Sequence, residues 1–145
     1  MRAVIQKVKR ATLYSEGEKY SEIKDGILVL LGVHQNDTSA IATKMADKLL
    51  KLRIYDDENG KTNLDIFAHG GEIMLVSNFT LYGNLKGTNR PDFITAARPE
   101  KAEPLYMEVF NILNEKVHTV SGAFRTYMEI EMLADGPGTY VIDFD

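Results

Sequence analysis

Residues 70–81 read GGEIMLVSNFTL, an apolar run set between a glycine turn and a polar exit. Ile73, Met74, Leu75 and Val76 form a continuous hydrophobic stretch behind Gly70-Gly71, the mark of a strand buried on both faces. Ser77, Asn78, Phe79 and Thr80 follow without a break. A central strand that ends in hydroxyl and amide groups carries them to one rim of the fold on rigid backbone, where a catalytic or binding site is readily held. The same residues could serve only as a cap or a turn, and spacing alone favours neither reading.

Working outward from this strand, residues 2–14 alternate as a first strand, and Ser15-Glu16-Gly17-Glu18 turns it back as a hairpin through Lys19 to Ile23. Ile27 to Val33 is a second unbroken apolar run and a second central strand. Asp37-Thr38-Ser39 supplies an N-cap cluster, and Ile41, Met45, Leu49, Leu50 and Leu52 then recur at helical spacing. Arg53-Ile54-Tyr55 is short and strand-like, and the acidic run from Asp56 to Gly60 reads as a solvated turn, since it lacks the ligand register of a calcium loop. Residues 83–91, GNLKGTNRP, are rich in turn formers and read as a loop carrying Lys86 and Arg90. Glu100 to Lys116 forms a second helix, with Pro99 and Pro104 near its start. Phe124 to Leu133 alternates as a late strand, Ala134 to Gly138 interrupts it, and Thr139 to Phe144 makes a last one.

The chain's 145 residues with 44% hydrophobic content suit one domain, residues 1–145, with a real core. No cysteine is present, which removes disulfides, thiolate catalysis and cysteine-ligated zinc, and fits a reducing compartment. The first residues alternate where a signal peptide would carry an apolar core, and no run approaches a membrane span, so a cytoplasmic protein without membrane association is expected. A net charge of −4 disfavours coating of long nucleic acid, whose affinity comes from many phosphate contacts, but leaves a contact with one RNA end open. The expected architecture is a mixed α+β fold: one three-layer domain of two main helices and largely antiparallel sheets.

His34, His69 and His118 lie apart in sequence with no HxH or HExxH spacing, so no metal and no cofactor is expected. A G-x-S-x-G elbow and a P-loop are both missing. What remains is hydroxyl and amide chemistry at Ser77, Asn78 and Thr80, an Asp-Gly-Pro-Gly turn, and no general base nearby. Such a site suits an electrophile already activated and a nucleophile brought by the substrate, where orientation and oxyanion stabilisation suffice.

From end to end the sequence resembles the D-aminoacyl-tRNA deacylases, through MRAVIQKV, LVLLGVHQNDT, LRIYDDENGK, GGEIMLVSNFTL, LKGTNRPDF and DGPGT in that order. The family's S-Q-x-x-L motif falls on Ser77 to Leu81, and its N-x-G-P-x-T motif on Ala134 to Thr139. The resemblance implies a homodimer that proofreads chirality in translation by hydrolysing the ester of D-aminoacyl-tRNA, and leaves mischarged glycyl-tRNA open as a further substrate. It further implies a cis Gly136-Pro137 bond, entered into the partner's site, whose carbonyl oxygens hold the α-amino group and shut out an L side chain. Backbone N–H groups around Asn78 to Thr80 would then polarise the ester carbonyl, with help from the substrate's 2′-hydroxyl. Thr80 would position rather than attack, since no base accompanies it. Phe124 and Met128 would line the pocket for the terminal adenine, Thr139 and Lys7 would support the Gly-Pro turn, and Lys86 and Arg90 would meet acceptor-end phosphates.

The sequence departs from that pattern in four places. Asn78 stands for Gln and is about 1.5 Å shorter. Ala134 stands for Asn, Lys7 for a bracing Arg whose fork a lysine cannot reproduce, and Arg125-Thr126 for a Gly and a small residue. These departures keep two other readings in play: a non-catalytic module that binds the aminoacyl end of tRNA, and a deacylase retuned to another aminoacyl ester, which a trans Gly136-Pro137 bond would favour.

Overall fold

In a computed structural model covering residues 1–145, the elements run β1 (Arg2–Ser15), β2 (Glu18–Ile23), β3 (Gly26–Gly32), α1 (Ser39–Lys51), β4 (Tyr55–Asp56) and β5 (Thr62–Leu64). They continue with α2 (Ile66–His69), β6 (Glu72–Ser77), a 3-10 turn (Phe79–Tyr82), α3 (Pro99–Lys116), β7 (Thr119–Ser121) and β8 (Met128–Asp143). The apolar runs at 27–33 and 73–76 are the middle strands. β6 lies between β3 and β7, parallel to both, while β1 is antiparallel to β2, β3 and β8.

Both faces of the middle strands are buried, as an unbroken apolar run requires. Ile27, Val29, Leu31, Ile73 and Leu75 point into the larger core, under α1 and α3. Leu28, Met74 and Val76 point the other way, into a smaller core with Val8, Ala11, Leu13 and Ile23. β1 joins the two because it is long: Ala3 and Ile5 serve the first core, and Val8, Ala11 and Leu13 the second. Its far half therefore carries β2 and the start of β8 over the second face, and Ser21 Oγ donates to the Ser121 carbonyl at 2.9 Å where this layer meets β7. Helices, middle strands and folded-over strands make the three layers.

Thr38 caps α1 by accepting from the Ile41 N–H, and Ala42, Met45, Ala46 and Leu49 form the helix's buried stripe. α3 starts at Pro99, whose missing N–H costs nothing in the first turn, and buries Leu105, Tyr106, Val109 and Leu113. None of the helices is long and apolar enough to cross a membrane.

Two expectations about the late strands change. Residues 124–127 are a turn, so Phe124 precedes β8 and only Met128 lies on it. Arg125, whose φ is 62°, breaks the alternation there with a left-handed conformation that no strand tolerates. Residues 134–138 do not end the strand either. β8 runs through them, because Gln6 pairs with Thr139 and Val8 with Ala134, leaving Lys7 alone opposite Asp135, Gly136, Pro137 and Gly138. The surplus residues bulge outward as a tip on an otherwise continuous ladder. Three short elements were not foreseen: β5, α2, capped by Asp65, and β7.

Candidate active site

The polar exit of β6 is fixed by its neighbours. Ser77 is the last residue paired with β3, opposite Leu31, and the Asn78 N–H donates to the Leu31 carbonyl at 2.8 Å. The Asn78 side chain then turns inward: its Oδ1 accepts from the Thr80 N–H at 3.1 Å and from the Thr80 hydroxyl as well, capping the 3-10 turn. Asn78 thus uses its shorter amide to build the rim.

This geometry narrows the backbone donors. The N–H of Asn78 and that of Thr80 are both committed within the chain, so neither is available to polarise a bound carbonyl. The Phe79 N–H, first in the turn, carries no such bond. Sequence reasoning could not separate the three, because the side-chain cap that consumes Thr80's donor depends on Asn78's rotamer.

Beside this rim opens a cleft of about 690 Å³, in the size range of small-molecule sites. Ser77, Asn78 and Phe79 form one part of its wall, and Phe124 and Met128 another. Phe79 is exposed and meets Phe93 edge to face, with ring centres 4.9 Å apart. Phe124 is half-buried, reaches Tyr106 at 5.9 Å and packs on the larger core, so it is core and cleft wall at once. Met128 packs on the smaller core in the same double role. Thr80 is exposed and outside the cleft wall, its hydroxyl tied to Asn78.

Among the residues lining the cleft there is no His, Asp or Glu. Lys86 and Arg90 are exposed on their loop and do not line it, whereas Arg98 and Arg125, to which the sequence gave no phosphate contact, are on its wall. Arg98 was hidden by its position just before the proline that starts α3. Of the tyrosine hydroxyls, those of Tyr55, Tyr82 and Tyr106 are pushed above their ordinary range, chiefly by burial.

Gly136, Pro137, Lys7 and Thr139 are not part of this cleft. They form the tip on β8, where the Gly136-Pro137 peptide bond is cis and Pro137 is exposed. Gly136 sits at φ 111°, a conformation closed to other residues. The Lys7 stem lies so close to Gly138 that a Cβ there would fall 2.7 Å from Cδ, and its amine ends over the Tyr55 ring at 4.8 Å. Bracing passes instead to Gln6, which donates to the Gly138 carbonyl at 3.2 Å and accepts from the Thr139 hydroxyl at 2.5 Å. Lys9 adds an ion pair to Asp135 at 3.5 Å. Neither Gln6 nor Lys9 stood out in the sequence, because only the bulge brings them against the tip.

The cleft's walls thus join hydroxyl, amide and aromatic groups with two arginines, on backbone fixed by β6 and α3. The chain belongs to the D-Tyr-tRNA(Tyr) deacylase family, whose pattern matches residues 4–143. It is 45% identical to the D-aminoacyl-tRNA deacylase of Symbiobacterium thermophilum over 144 residues, which is 99% of this chain and 95% of the relative. The enzyme of the same name from Brevibacillus brevis is 42% identical over 145 residues, covering 99% of each. A solved structure described as c-Myc DNA Unwinding Element Binding Protein superposes with a TM-score of 0.94 at 38% identity, covering 100% of this chain and 99% of the other. A second, described as a probable eukaryotic D-amino acid tRNA deacylase, shares the fold with a TM-score of 0.85 at 16% identity, covering 99% and 98%.

Proposed function

We propose that the chain hydrolyses the ester between a D-amino acid and the terminal ribose of tRNA, in the cytoplasm, as a homodimer. The observation that carries this reading is the separation of its two motifs: the serine motif edges a cleft, and the Gly-Pro tip of the same chain stands outside it, exposed. Around the tip β8 presents Met132, Leu133, Tyr140 and Val141 to solvent, apolar surface of the kind a second copy covers. Paired about a two-fold axis, each chain enters its tip into the other's cleft.

Phe124 and Met128 then hold the terminal adenine, and the ester carbonyl points at the Phe79 N–H. Water adds to that carbonyl carbon with the 2′-hydroxyl assisting, the bond from the carbonyl carbon to the 3′-oxygen breaks, and the 3′-oxygen takes up a proton. Free D-amino acid and tRNA leave. Developing negative charge on the carbonyl oxygen meets a fixed donor, so the step needs no side-chain acid or base. The partner's Gly-Pro carbonyl oxygens receive the α-ammonium group, and the same tip occupies the space an L side chain would need. Thr80 only shapes the rim.

Release of D-tyrosine from D-Tyr-tRNA by the purified protein is the direct test, and no release at high enzyme concentration overturns the reading. Binding of the aminoacyl end without turnover would leave the non-catalytic module, which the inward-turned Asn78 amide favours. Sharing of the site is tested by mixing two inactive variants, Gly136→Val and Phe79→Pro, under conditions where subunits exchange. Mixed dimers keep one intact tip facing one intact cleft, so activity returns; its failure to return places both motifs in one subunit.

A further inference from the structure

Arg98 and Arg125 reach the cleft from distant parts of the chain, one just before α3 and the other in the turn ahead of β8. They are the only charged residues on its wall. Neither belongs to any ion pair of the chain. In a protein of net charge −4, a cleft whose only charges are two unpaired guanidinium groups is a local reversal of sign, and such a reversal selects anions.

Two further features point the same way. Pro99 and Ala102, from the first turn of α3, line the same cleft, and Arg98 gives that helix no side-chain cap. The start of an 18-residue helix therefore lies beside the cleft, with Glu100 of that turn off the cleft wall. Arg125 holds its place at a φ of 62°, which residues with a Cβ disfavour. A disfavoured backbone conformation that sets a cation on a binding wall is the pattern of a residue kept for its side chain.

We infer that Arg98 and Arg125 form a phosphate subsite of the cleft, which takes the phosphodiester joining the terminal adenosine to the nucleotide before it. The inference rests on the acceptor-end reading above and adds to it the group that tells tRNA from a free aminoacyl nucleoside. A ribose whose 3′-ester faces the Phe79 N–H carries its 5′-phosphate only a few bonds away. That anion must come to rest on this wall or at its mouth, and planar guanidinium forks match phosphate oxygens.

Calorimetric titration of the full-length protein with adenosine and with adenosine 5′-methylphosphate, a single-charge diester mimic, tests the subsite without any turnover. The diester should bind about tenfold tighter at low salt, the scale of a charge-assisted contact. In the Arg98→Gln, Arg125→Gln double variant that preference should vanish. Equal binding of the two ligands by the wild type overturns the subsite and leaves the adenine reading standing. Binding of neither overturns both. A preference that survives in the double variant assigns the phosphate to other groups and also overturns the proposal.

Discussion

The rim at the end of β6 and the tip on β8 carry the two motifs, and they are built in opposite ways. The rim is finished within its own chain: Met74, Leu75 and Val76 behind it are buried, the Asn78 N–H is tied to Leu31, and the Asn78 side chain closes the turn. The tip is a surplus of residues pushed out of a ladder, held from below by Gln6 and Lys9, with Gly136 and Pro137 exposed. On the reading proposed above, accuracy at a reacting atom calls for rigid backing, whereas selection by an inserted loop calls for reach. A fold that keeps the two jobs apart allows each to be damaged without the other.

The sharpest way to break this comparison is at Phe79. Proline there removes the one uncommitted N–H of the rim, and its ring suits the first position of a 3-10 turn that follows an extended Asn78 at φ −146° and ψ 94°. Phe79→Pro should lower kcat for D-Tyr-tRNA by roughly 10²–10³, the usual cost of an oxyanion donor. Phe79→Ala, which keeps the N–H, should lose far less. A Phe79→Pro enzyme with near-normal kcat would move the donor elsewhere and undo the account of the rim.

At the tip the matching change is Gly136→Val. A Cβ on Gly136 would stand 2.8 Å from the Gly138 nitrogen, and φ 111° excludes valine, so the tip must move. A shift of about 1 Å at a positioning element costs on the order of a hundredfold in kcat/KM. Thermal unfolding should change little, because the tip is exposed. A large fall in Tm would show that the tip belongs to the fold more than to selection. Gln6→Ala is milder: it removes two contacts beneath the tip, and kcat/KM should fall about tenfold, the scale of one or two hydrogen bonds.

The same contrast explains what could be read from the chain beforehand. The middle strands, both long helices and the placing of Ser77 on a rim were legible, because unbroken apolar runs and helical spacing report burial directly. That Phe124 and Met128 share a cleft with Ser77, Asn78 and Phe79 was not legible in the pattern, since no periodicity links residues about fifty positions apart. The tip's supports were illegible for a physical reason. A bulge changes which residues of β1 face β8, so the partners of Gly138 and Thr139 follow from register, and register is a property of the pairing. The commitment of two of the three candidate N–H groups was equally hidden, since it turns on one side-chain rotamer.

Behind the rim, Tyr106 supports β6 by donating to the Leu75 carbonyl at 2.6 Å. That carbonyl also accepts from the Gly122 N–H, so Tyr106→Phe leaves it partnered and should cost only about 1 kcal/mol of stability at neutral pH. Burial raises the Tyr106 hydroxyl's pKa, so the folded chain keeps a proton that the unfolded chain releases above about pH 10. This contribution is whole below that pH and declines above it by about 1.4 kcal/mol per pH unit. Denaturant titrations between neutral and alkaline pH should show a shallower decline in Tyr106→Phe.

The smallest effect is expected at Arg125, on the cleft wall. Glycine accepts a φ of 62° freely, while a residue with a Cβ is strained there by about 1–2 kcal/mol. Glycine also gives the unfolded chain more freedom, which takes back part of the gain. Arg125→Gly should therefore raise stability by a net of roughly 0.5–1 kcal/mol, seen as a small rise in the denaturant midpoint with an unchanged slope. The same variant loses one of the cleft's two cations, so its kcat/KM for tRNA substrate should become less sensitive to salt. Greater stability with weaker salt dependence would mark Arg125 as a residue held in strain for its charge. Greater stability with the salt dependence intact would mean that the turn merely tolerates an arginine, and that the cleft recognises its substrate by the adenine and the ester alone.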